Sequence, residues 1–376
     1  MKYQNIHNIL HNLLVIPSVS HDIKQLHACI DYIISEFEAL DAPYFINKNI
    51  INNKPSLLVA NFDIEKKKHA DIVLNWHIDV VPPDEEDQFE PKLVWNKLYA
   101  RWAGDMKSGV AVMIQVMKDI IADQYTRKDI LLMVTSDEEV GGYDGVWALT
   151  ALWRWWDLVL IPDGGSIDRI ISWQKGIYMM TVEAYGKSCH SSRPWLGENA
   201  IHNIVNYFTD IKTKIQDTEA VYFSDNHRWT SVNFNMIEAG TAINKVPSLA
   251  KARFDIRFTE KYTLKEIKEI CLSFMPSYNC RLIGEITWEA IKIAENDSDM
   301  QRYIKSTQKF VPNVELEKEH GWSDGRFFSA AWSKVIIHKP TDDHIHESWE
   351  WVDIDTIWVL YNIYMDFILV WDFDSK

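Results

Sequence analysis

The sequence predicts an α/β protein: a mostly parallel sheet flanked by helices, interrupted by a smaller α+β domain. Short, apolar, β-branched runs alternate with helical stretches in the first part of the chain, which is typical of βαβ units. The middle alternates apolar and polar residues, as in a sheet with one solvated face. The first pattern then resumes. We therefore divide the chain into a larger domain, 1–175 with 285–376, and an inserted domain, 176–284.

Each element follows from its local pattern. Residues 3–40 show helical spacing of Ile, Leu and Phe. Buried strands of the larger domain are predicted at 56–62, 71–76, 129–136, 157–161 and 334–338. Its other helices are predicted at 106–122 and 353–370. In the inserted domain we predict strands at 176–185 and 248–258, with helices at 199–215 and 263–275.

Composition excludes several classes of protein. The formal net charge of −15 over 376 residues argues against a nucleic-acid surface and against binding to anionic membranes. None of the four cysteines forms a CxxC pair, which disfavours a sulfur-rich zinc site and indicates a reducing compartment. There is no signal-peptide pattern and no apolar run of about 18 residues. We therefore expect a cytoplasmic protein without a membrane span.

Acidic and histidine residues follow the strand-like runs of the larger domain. In open α/β sheets, sites form at the carboxyl ends of the strands. Two-metal hydrolases need several such ligands there, and also a carboxylate that takes a proton from water. The candidates are His77, Asp105, Glu138, Glu139, Asp163 and His346. Taken singly, each has an ordinary structural interpretation, because strand-end carboxylates are usually turn or cap residues. The ordered set is what predicts a metal centre.

Eight segments of the chain resemble the successive signatures of the M20 metallopeptidase family. They are NWHIDVVPP, LYARWAGDMKSGVA, TSDEEVGG, PDGGS, HSSRPWLGENAI, AINKVPSLAKARFDIR, WSDGRFF and HESWEWV. They occur in family order, and the resemblance as a whole extends from about residue 10 to 360. The family includes succinyl-diaminopimelate desuccinylase, acetylornithine deacetylase, carboxypeptidase G and several di- and tripeptidases. The resemblance implies a zinc-exopeptidase-like fold with an inserted lid or dimerisation domain, and a homodimer through that domain.

The resemblance also implies a ligand set for two zinc ions, with cobalt or manganese as alternatives. His77 and Asp163 would bind one ion, Glu139 and His346 the other, and Asp105 would bridge them. The family register selects His346 as the last ligand and not the nearby His344.

Further roles follow from the same resemblance. Glu138 would be the general base, and Asp79 would hold His77, with which it shares a face in an extended chain. In the inserted domain, His190 would steady the oxyanion. Asn244 and Arg257 would bind substrate, Arg257 by pairing with a carboxylate. The expected substrate is a peptide or N-acyl amino acid, cleaved at an amide bond near a free carboxylate.

Two other functions compete with this one. The chain could be a catalytically silent relative that binds metal or peptide. Alternatively, Gly321–Trp322–Ser323–Asp324–Gly325 matches the G-x-S-x-G pattern of serine hydrolases, with Asp342 or Asp343 and His346 following in order. The segment before Ser323 is too charged for the buried strand that such a turn requires, which disfavours the second alternative.

Tryptophan is unusually frequent, with 17 Trp against 14 Gly, whereas glycine alone usually makes up about 7% of a protein. Trp76, Trp102 and Trp349 lie in motif positions where the resembled family usually has glycine. Trp147, Trp153 and Trp332 look similar. We hypothesise that the source organism reads UGA as glycine, and that these codons were translated as tryptophan. The alternative is a family member with a tryptophan-lined cleft.

Overall fold

The computed structural model describes residues 2–123, 126–152, 155–223 and 228–371. Trp153, one of the tryptophans singled out above, lies outside these ranges. The chain forms two compact units: Met1–Trp173 with Lys292–Lys376, and Gln174–Ile291. Among the described residues, no helix is both long and apolar enough to cross a membrane.

The helices and strands alternate along most of the chain. The helices are α1 Lys2–Leu14, α2 Ile23–Glu38, α3 Ser108–Asp123, α4 Val146–Leu152, α5 Ala200–Glu219, α6 Leu264–Phe274, α7 Ser298–Gln308, α8 Gly325–Ala330 and α9 Ile354–Trp371. The strands are β1 Phe45–Ile51, β2 Lys54–Ala60, β3 His69–His77, β4 Lys92–Val94, β5 Lys97–Tyr99, β6 Ile130–Thr135, β7 Trp155–Ile161, β8 Arg169–Gln174, β9 Gly176–Tyr185, β10 Ser231–Ala239, β11 Leu249–Phe258, β12 Cys280–Trp288, β13 Ile291–Lys292, β14 Glu315–Glu319, β15 Lys334–Ile337, β16 Asp342–Asp343 and β17 Trp351–Asp353.

The N-terminal helical stretch is two helices and not one. The predicted range 3–40 is interrupted between α1 and α2, where Pro17 cannot continue a helix. Asp22 then starts α2, because its side chain accepts a hydrogen bond from the backbone N–H of Gln25.

The large sheet of the first unit has a parallel centre. Its strand order is β1-β2-β6-β3-β7-β15-β8-β13, with β14 paired to β8. Strands β6, β3, β7 and β15 are mutually parallel, whereas the strands at the edges are antiparallel. Every residue of β6 is buried, as expected for a parallel strand covered on both faces. The predicted α/β class with a mostly parallel sheet and flanking helices is thus confirmed.

The register of the sheet brings three loops to one edge. His77 at the end of β3 pairs with Thr135 at the end of β6, and Leu74 of β3 pairs with Leu160 of β7. Because these strands are parallel, the segments that follow them lie side by side. Those segments carry His77, the Glu138–Glu139 pair and Asp163.

A second, smaller sheet in the first unit has the order β16-β17-β5-β4. His346 lies between β16 and β17. His346 thus follows β15, the last strand of the large sheet along the chain, but it lies in a loop of a second sheet that was not predicted. The two flanking strands are two and three residues long and contain aspartates, so no apolar pattern indicated them.

The second unit is a four-stranded antiparallel sheet, ordered β10-β11-β9-β12, with α5 and α6 packed on one face. Helix α6 begins with a reciprocal capping box between Thr263 and Glu266. Strand β12 carries mostly exposed or half-buried residues, which explains why its sequence gave no strand signal. This compact unit extends to Ile291 and so includes β12 and the start of β13.

Candidate metal centre

His77 presents an unpaired nitrogen to the carboxyl edge of the sheet. Its side chain is 3% exposed, and its Nδ1 lies 3.0 Å from the backbone oxygen of Asp79. Its Nε2 has no hydrogen-bond partner and lies 3.5 Å from Asp105 Oδ1. Burial favours a neutral ring, but the nearby carboxylates of Asp105 and Asp79 outweigh it and raise the pKa of His77.

Asp105 lies in a tight turn, Ala103–Lys107, directly before α3. Glu350 holds this turn, since its Oε1 accepts hydrogen bonds from the backbone N–H of Gly104 at 2.9 Å and of Asp105 at 3.2 Å. The buried ammonium of Lys107 ties the turn to the end of α1 by donating to the backbone oxygens of Leu13 and Ile16. These contacts fix the backbone of the turn and so the position of the Asp105 carboxylate, whose Oδ1 has no hydrogen-bond partner among the described residues.

Asp79 connects β3 to the turn that carries the two glutamates. Its carboxylate accepts hydrogen bonds from the backbone N–H of Glu138 at 3.1 Å and of Glu139 at 3.2 Å, and from the Ser20 hydroxyl at 2.9 Å. Only the backbone oxygen of Asp79 comes within 3.0 Å of His77 Nδ1; its carboxylate is 3.4 Å away. In this structure Asp79 therefore positions the glutamate turn as well as His77.

Glu138 and Glu139 face different surroundings. Burial raises the pKa of Glu138 well above its usual range; the nearby His77 opposes the shift, and the carboxylates of Asp324 and Asp163 add to it. Nη1 of the buried Arg326 lies 3.8 Å from Glu138 Oε1. Glu139 instead turns a buried, unpartnered Oε1 toward His346, 3.6 Å from Nε2.

His346 completes the cluster from the loop between β16 and β17. Its Nε2 lies 3.2 Å from Asp105 Oδ2, and the neighbouring carboxylates of Asp105 and Glu139 raise the pKa of His346 to about 10. His344 points elsewhere and pairs with Glu347 at 2.8 Å. Of the two histidines that competed for this position, His346 is the one beside the carboxylates.

Two overlapping groups of side chains can each hold a metal ion, with ligand atoms within 4.8 Å of one another. One comprises His77, Glu138 and Glu139, and the other Asp105, Glu139 and His346. His77 Nε2, Asp105 Oδ1 and Glu139 Oε1 are all buried without a hydrogen-bond partner. Buried polar atoms are normally paired, so three of them turned toward one another fit a cation that supplies the missing partner.

Asp163 lies outside both groups in the described part of the chain. It follows β7. Burial raises the pKa of Asp163 to about 8, and the negative charge of Asp105 adds to this shift, so the two carboxylates interact electrostatically. Its role as a ligand stays a prediction. By the family resemblance Asp105 would bridge two ions, whereas the residue common to both groups is Glu139.

Several charged residues around the site were given no role in the metal centre by the sequence analysis. Glu350, Arg326, Asp324 and Lys339 are buried, and the side chain of Asp342 is 6% exposed. Arg326 packs its guanidinium 3.6 Å from the Trp322 ring centre, and Lys339 pairs with Asp342 at 2.6 Å. Asp324 and Arg326 belong to the quoted WSDGRFF segment, which was a usable signal. Glu350 likewise belongs to the quoted HESWEWV segment, but its contacts with the Asp105 turn join residues far apart in sequence and could not be read from it.

The serine-hydrolase alternative gains nothing from the structure. Ser323 is fully buried, and its hydroxyl oxygen accepts a hydrogen bond from the backbone N–H of Gly325. Asp342 pairs with Lys339, and His346 with Asp105 and Glu139. These three residues thus have partners other than one another, and a nucleophile must be reachable by substrate.

A third group of potential ligands, His69, Asp71 and Asp157, lies at the opposite end of the strands. His69 begins β3, and its Nε2 lies 3.2 Å from Asp157 Oδ1 in β7. The three side chains are half-buried or exposed. Such surface groups commonly occur without a metal, so this one serves below as a control.

Three predicted site residues belong to the second unit. His190 Nδ1 lies 2.8 Å from the Ser192 hydroxyl, and the backbone oxygen of Asn244 accepts from the N–H of Ser191. Arg257, on β11, donates to both carboxylate oxygens of Asp255, at 2.7 and 3.0 Å. The roles of His190, Asn244 and Arg257 toward a substrate stay predictions.

Comparisons with known proteins agree with this architecture. The model of peptidase family M20/M25/M40 matches residues 73–370, which is most of the chain. The chain therefore belongs to this family of metal-dependent peptidases and deacylases. Like the other members, it is a hydrolase that acts on amide or peptide bonds, as predicted.

Two relatives found by sequence are desuccinylases, whereas two solved structures with a similar fold are peptidases. The chain is 27% identical to succinyl-diaminopimelate desuccinylase of Cupriavidus taiwanensis, over 78% of this chain and 80% of that protein. It is 26% identical to that of Thiobacillus denitrificans, over 82% and 86%. Among solved structures, a Staphylococcus aureus tripeptidase superposes with a TM-score of 0.76 at 18% identity, covering 98% of both chains. An M20 metallo-carboxypeptidase from Sulfolobus solfataricus gives 0.72 at 16% identity, covering 98% and 99%. These two structures support the fold alone.

Proposed function

We propose that this protein is a di-zinc hydrolase that cleaves a peptide or N-acyl amide bond close to a free carboxylate of its substrate. The observation that carries this proposal is the set of three buried, unpartnered ligand atoms, His77 Nε2, Asp105 Oδ1 and Glu139 Oε1. His346 and Asp163 would complete the ligand set. When bound, the metal ions would polarise the scissile carbonyl and make the attacking water more acidic.

Glu138 is the residue that would move the proton. Its carboxylate is buried beside His77 with a raised pKa, which suits a group that must accept a proton from water and keep it during the reaction. That proton would then pass to the nitrogen of the departing amine. Asp79 fixes the Glu138 backbone and Arg326 lies beside the carboxylate, so the base is held in one orientation.

The substrate class follows from the relatives and from one arginine. The desuccinylase relatives act on an N-succinyl amide, and the superposed tripeptidase on short peptides, so we propose a small substrate carrying a carboxylate. Arg257 would bind that carboxylate in the bidentate manner in which it now holds Asp255. The inserted unit would also supply His190 and Asn244, and would serve as lid and dimer contact. Cytoplasmic location is part of the same proposal.

The Glu138→Ala variant tests the proposed chemistry. We expect it to bind as much zinc as the parent and to lose at least about 100-fold in kcat, the usual contribution of a general base. Metal content is measured on the same purified sample. A turnover within tenfold of the parent would remove Glu138 from the mechanism.

A substrate panel tests the proposed specificity. It pairs N-succinyl amino acids and di- and tripeptides with the same compounds carrying a carboxamide in place of the carboxylate. We expect hydrolysis only of the free acids, and for Arg257→Ala a raised KM with little change in kcat. Equal rates for acid and amide would refute recognition of the carboxylate while leaving amide hydrolysis intact.

One observation favours a second candidate function: a family member that, with tryptophan at these positions, binds metal or peptide but does not catalyse hydrolysis. The Trp102 ring lies 5.5 Å from the His346 ring, and Trp76, which is 1% exposed, directly precedes His77. One large side chain thus packs against a predicted metal ligand, and another directly precedes one in β3. Hydrolysis of no member of the panel, at full zinc content, would favour this candidate.

A further inference from the structure

Three tryptophans have a backbone conformation that side-chain-bearing residues rarely adopt. Trp95, Trp102 and Trp332 have φ angles of 59°, 75° and 70°. In this left-handed region the Cβ atom crowds the following carbonyl oxygen, which is why glycine usually occupies it. The other described non-glycine residues with positive φ are all Asn or His, types enriched there, so tryptophan is the exception.

Trp332 occupies the position after a helix that is most often glycine. Helix α8 has Ala331 as its C-cap, the N–H of Trp332 bonds to the oxygen of Ser329, and the N–H of Ser333 bonds to that of Phe328. These two bonds define a Schellman motif with residue 332 at its left-handed position. The Trp332 side chain is 93% exposed, so no packing offsets the backbone cost.

Trp95 is the first residue of a two-residue hairpin loop. Val94 of β4 pairs with Lys97 of β5, which leaves Trp95 and Asn96 as the connection. Such tight hairpins use turns with positive φ at the first loop position, where glycine or asparagine is preferred. This side chain is 92% exposed. This hairpin is unrelated to the helix end at residue 332, yet both positions require a positive φ angle.

Trp102 is buried and packs against Val19 and Val80, but its indole N–H is not satisfied among the described residues. Its Nε1–H has no hydrogen-bond partner in the described structure, and the same holds for the buried Trp76 and Trp156. A buried indole N–H normally finds an acceptor. By contrast, Trp358 stacks on Tyr361 within α9, at 4.9 Å between ring centres, in ordinary helical backbone. The anomaly is therefore specific to certain tryptophans.

From these contexts we infer that the native protein carries glycine at positions 95, 102 and 332, where UGA codons of its gene were translated as tryptophan. The inference is independent of the proposed function, because it rests on backbone geometry and on unpaired indoles. It also accounts for Trp102, whose ring lies beside that of His346.

The codons and the native protein give the first test. We expect UGA at all three positions, and peptides from the source cells that contain glycine there by mass spectrometry. UGG at any of the three positions overturns the inference for that position. UGA codons with tryptophan in the peptides overturn it altogether.

Stability measurements on the chain as written give a second, physical test. Trp332→Gly and Trp95→Gly should each raise Tm by about 1–3 °C, since glycine removes the left-handed strain and neither indole is packed. The control Trp358→Gly should lower Tm, because it places glycine within a helix and removes a ring contact. A fall in Tm for the two exposed positions, equal to that of the control, would contradict the inference.

Position 102 links the inference to the metal centre. Trp102→Gly should raise the zinc content per chain, or at least tighten zinc binding, by removing the ring beside His346. Zinc stoichiometry and the zinc-induced rise in Tm report this without any activity assay. A lower zinc content than in the parent would mean that the indole supports the site and that tryptophan belongs there.

Discussion

Zinc binding should release protons, because the metal-free cluster holds them at neutral pH. The pKa of Asp163 is raised to about 8, mainly by burial, and that of His346 to about 10 by the neighbouring carboxylates. Between pH 6 and 7.5 both groups are therefore protonated before a cation arrives. A divalent ion favours their deprotonated forms, so binding must expel these protons. These two groups set the lower bound on the number of protons released, because the pKa of His77 is also raised.

The magnitude follows from the number of protons. Each proton expelled makes the apparent affinity tenfold tighter per pH unit, or about 1.4 kcal/mol. Two protons predict a rise of about 100-fold per pH unit. The folding stability of the metal-free protein should instead decrease as pH rises. For an acid such as Asp163, whose pKa is raised on folding, the stabilisation is complete below the unfolded pKa and is lost as pH rises through 8.

Isothermal titration calorimetry in buffers of different ionisation enthalpy counts these protons directly. We expect at least about two per chain at pH 6.5, together with a zinc-induced rise in Tm that is larger at pH 7.5 than at pH 6. His69→Ala, which alters the surface group at the other end of the strands, should behave as the parent. Zinc binding with no proton release, or with an affinity that is constant from pH 6 to 7.5, would refute the reasoning.

Three substitutions test how the site is supported. Glu350→Ala removes the acceptor of two buried N–H groups in the Asp105 turn and should cost about 1–3 kcal/mol in urea unfolding, with a matching loss of zinc affinity; unchanged stability and affinity would be inconsistent with this role. Lys107→Met leaves two backbone oxygens without their donor and should destabilise by a similar amount, whereas a neutral result would show that water replaces the ammonium. Gly142→Ala introduces a Cβ at φ 69°, 2.5 Å from Asp324 Oδ1, and should cost at least about 1–2 kcal/mol by thermal or urea unfolding; a stability equal to the parent would show that the loop adjusts freely.

The parallel centre of the sheet was predictable because its strands are apolar throughout. Segments such as 130–135 and 158–161 stand out as runs without charge, as expected for strands covered on both faces. Ligand positions at the ends of β3, β6 and β7 then followed from the general rule for parallel sheets. The apolar pattern of each strand was therefore enough to place the candidate ligand that follows it at the carboxyl edge of the sheet.

The environment of His346 was not predictable in the same way. It lies between strands of two and three residues, and no periodicity can be read in so short a segment. The hold of Glu350 on the Asp105 turn joins residues 245 positions apart, and a single sequence carries no sign of such pairing. Similarly, Arg326 lies in the quoted WSDGRFF segment, but its burial beside the Trp322 ring could not be inferred from that segment. Long-range polar contacts of this kind define the site but leave no local signal.

The metal content of the purified chain tests the central claim most directly. After loading with zinc and removal of excess metal, we predict about two ions per chain, with a clear loss in Asp105→Ala and none in Asp71→Ala of the surface group. A full metal content in Asp105→Ala, or a loss in Asp71→Ala, would place the metal elsewhere. If the parent binds no metal and Trp102→Gly restores none, the proposed ligand set is wrong.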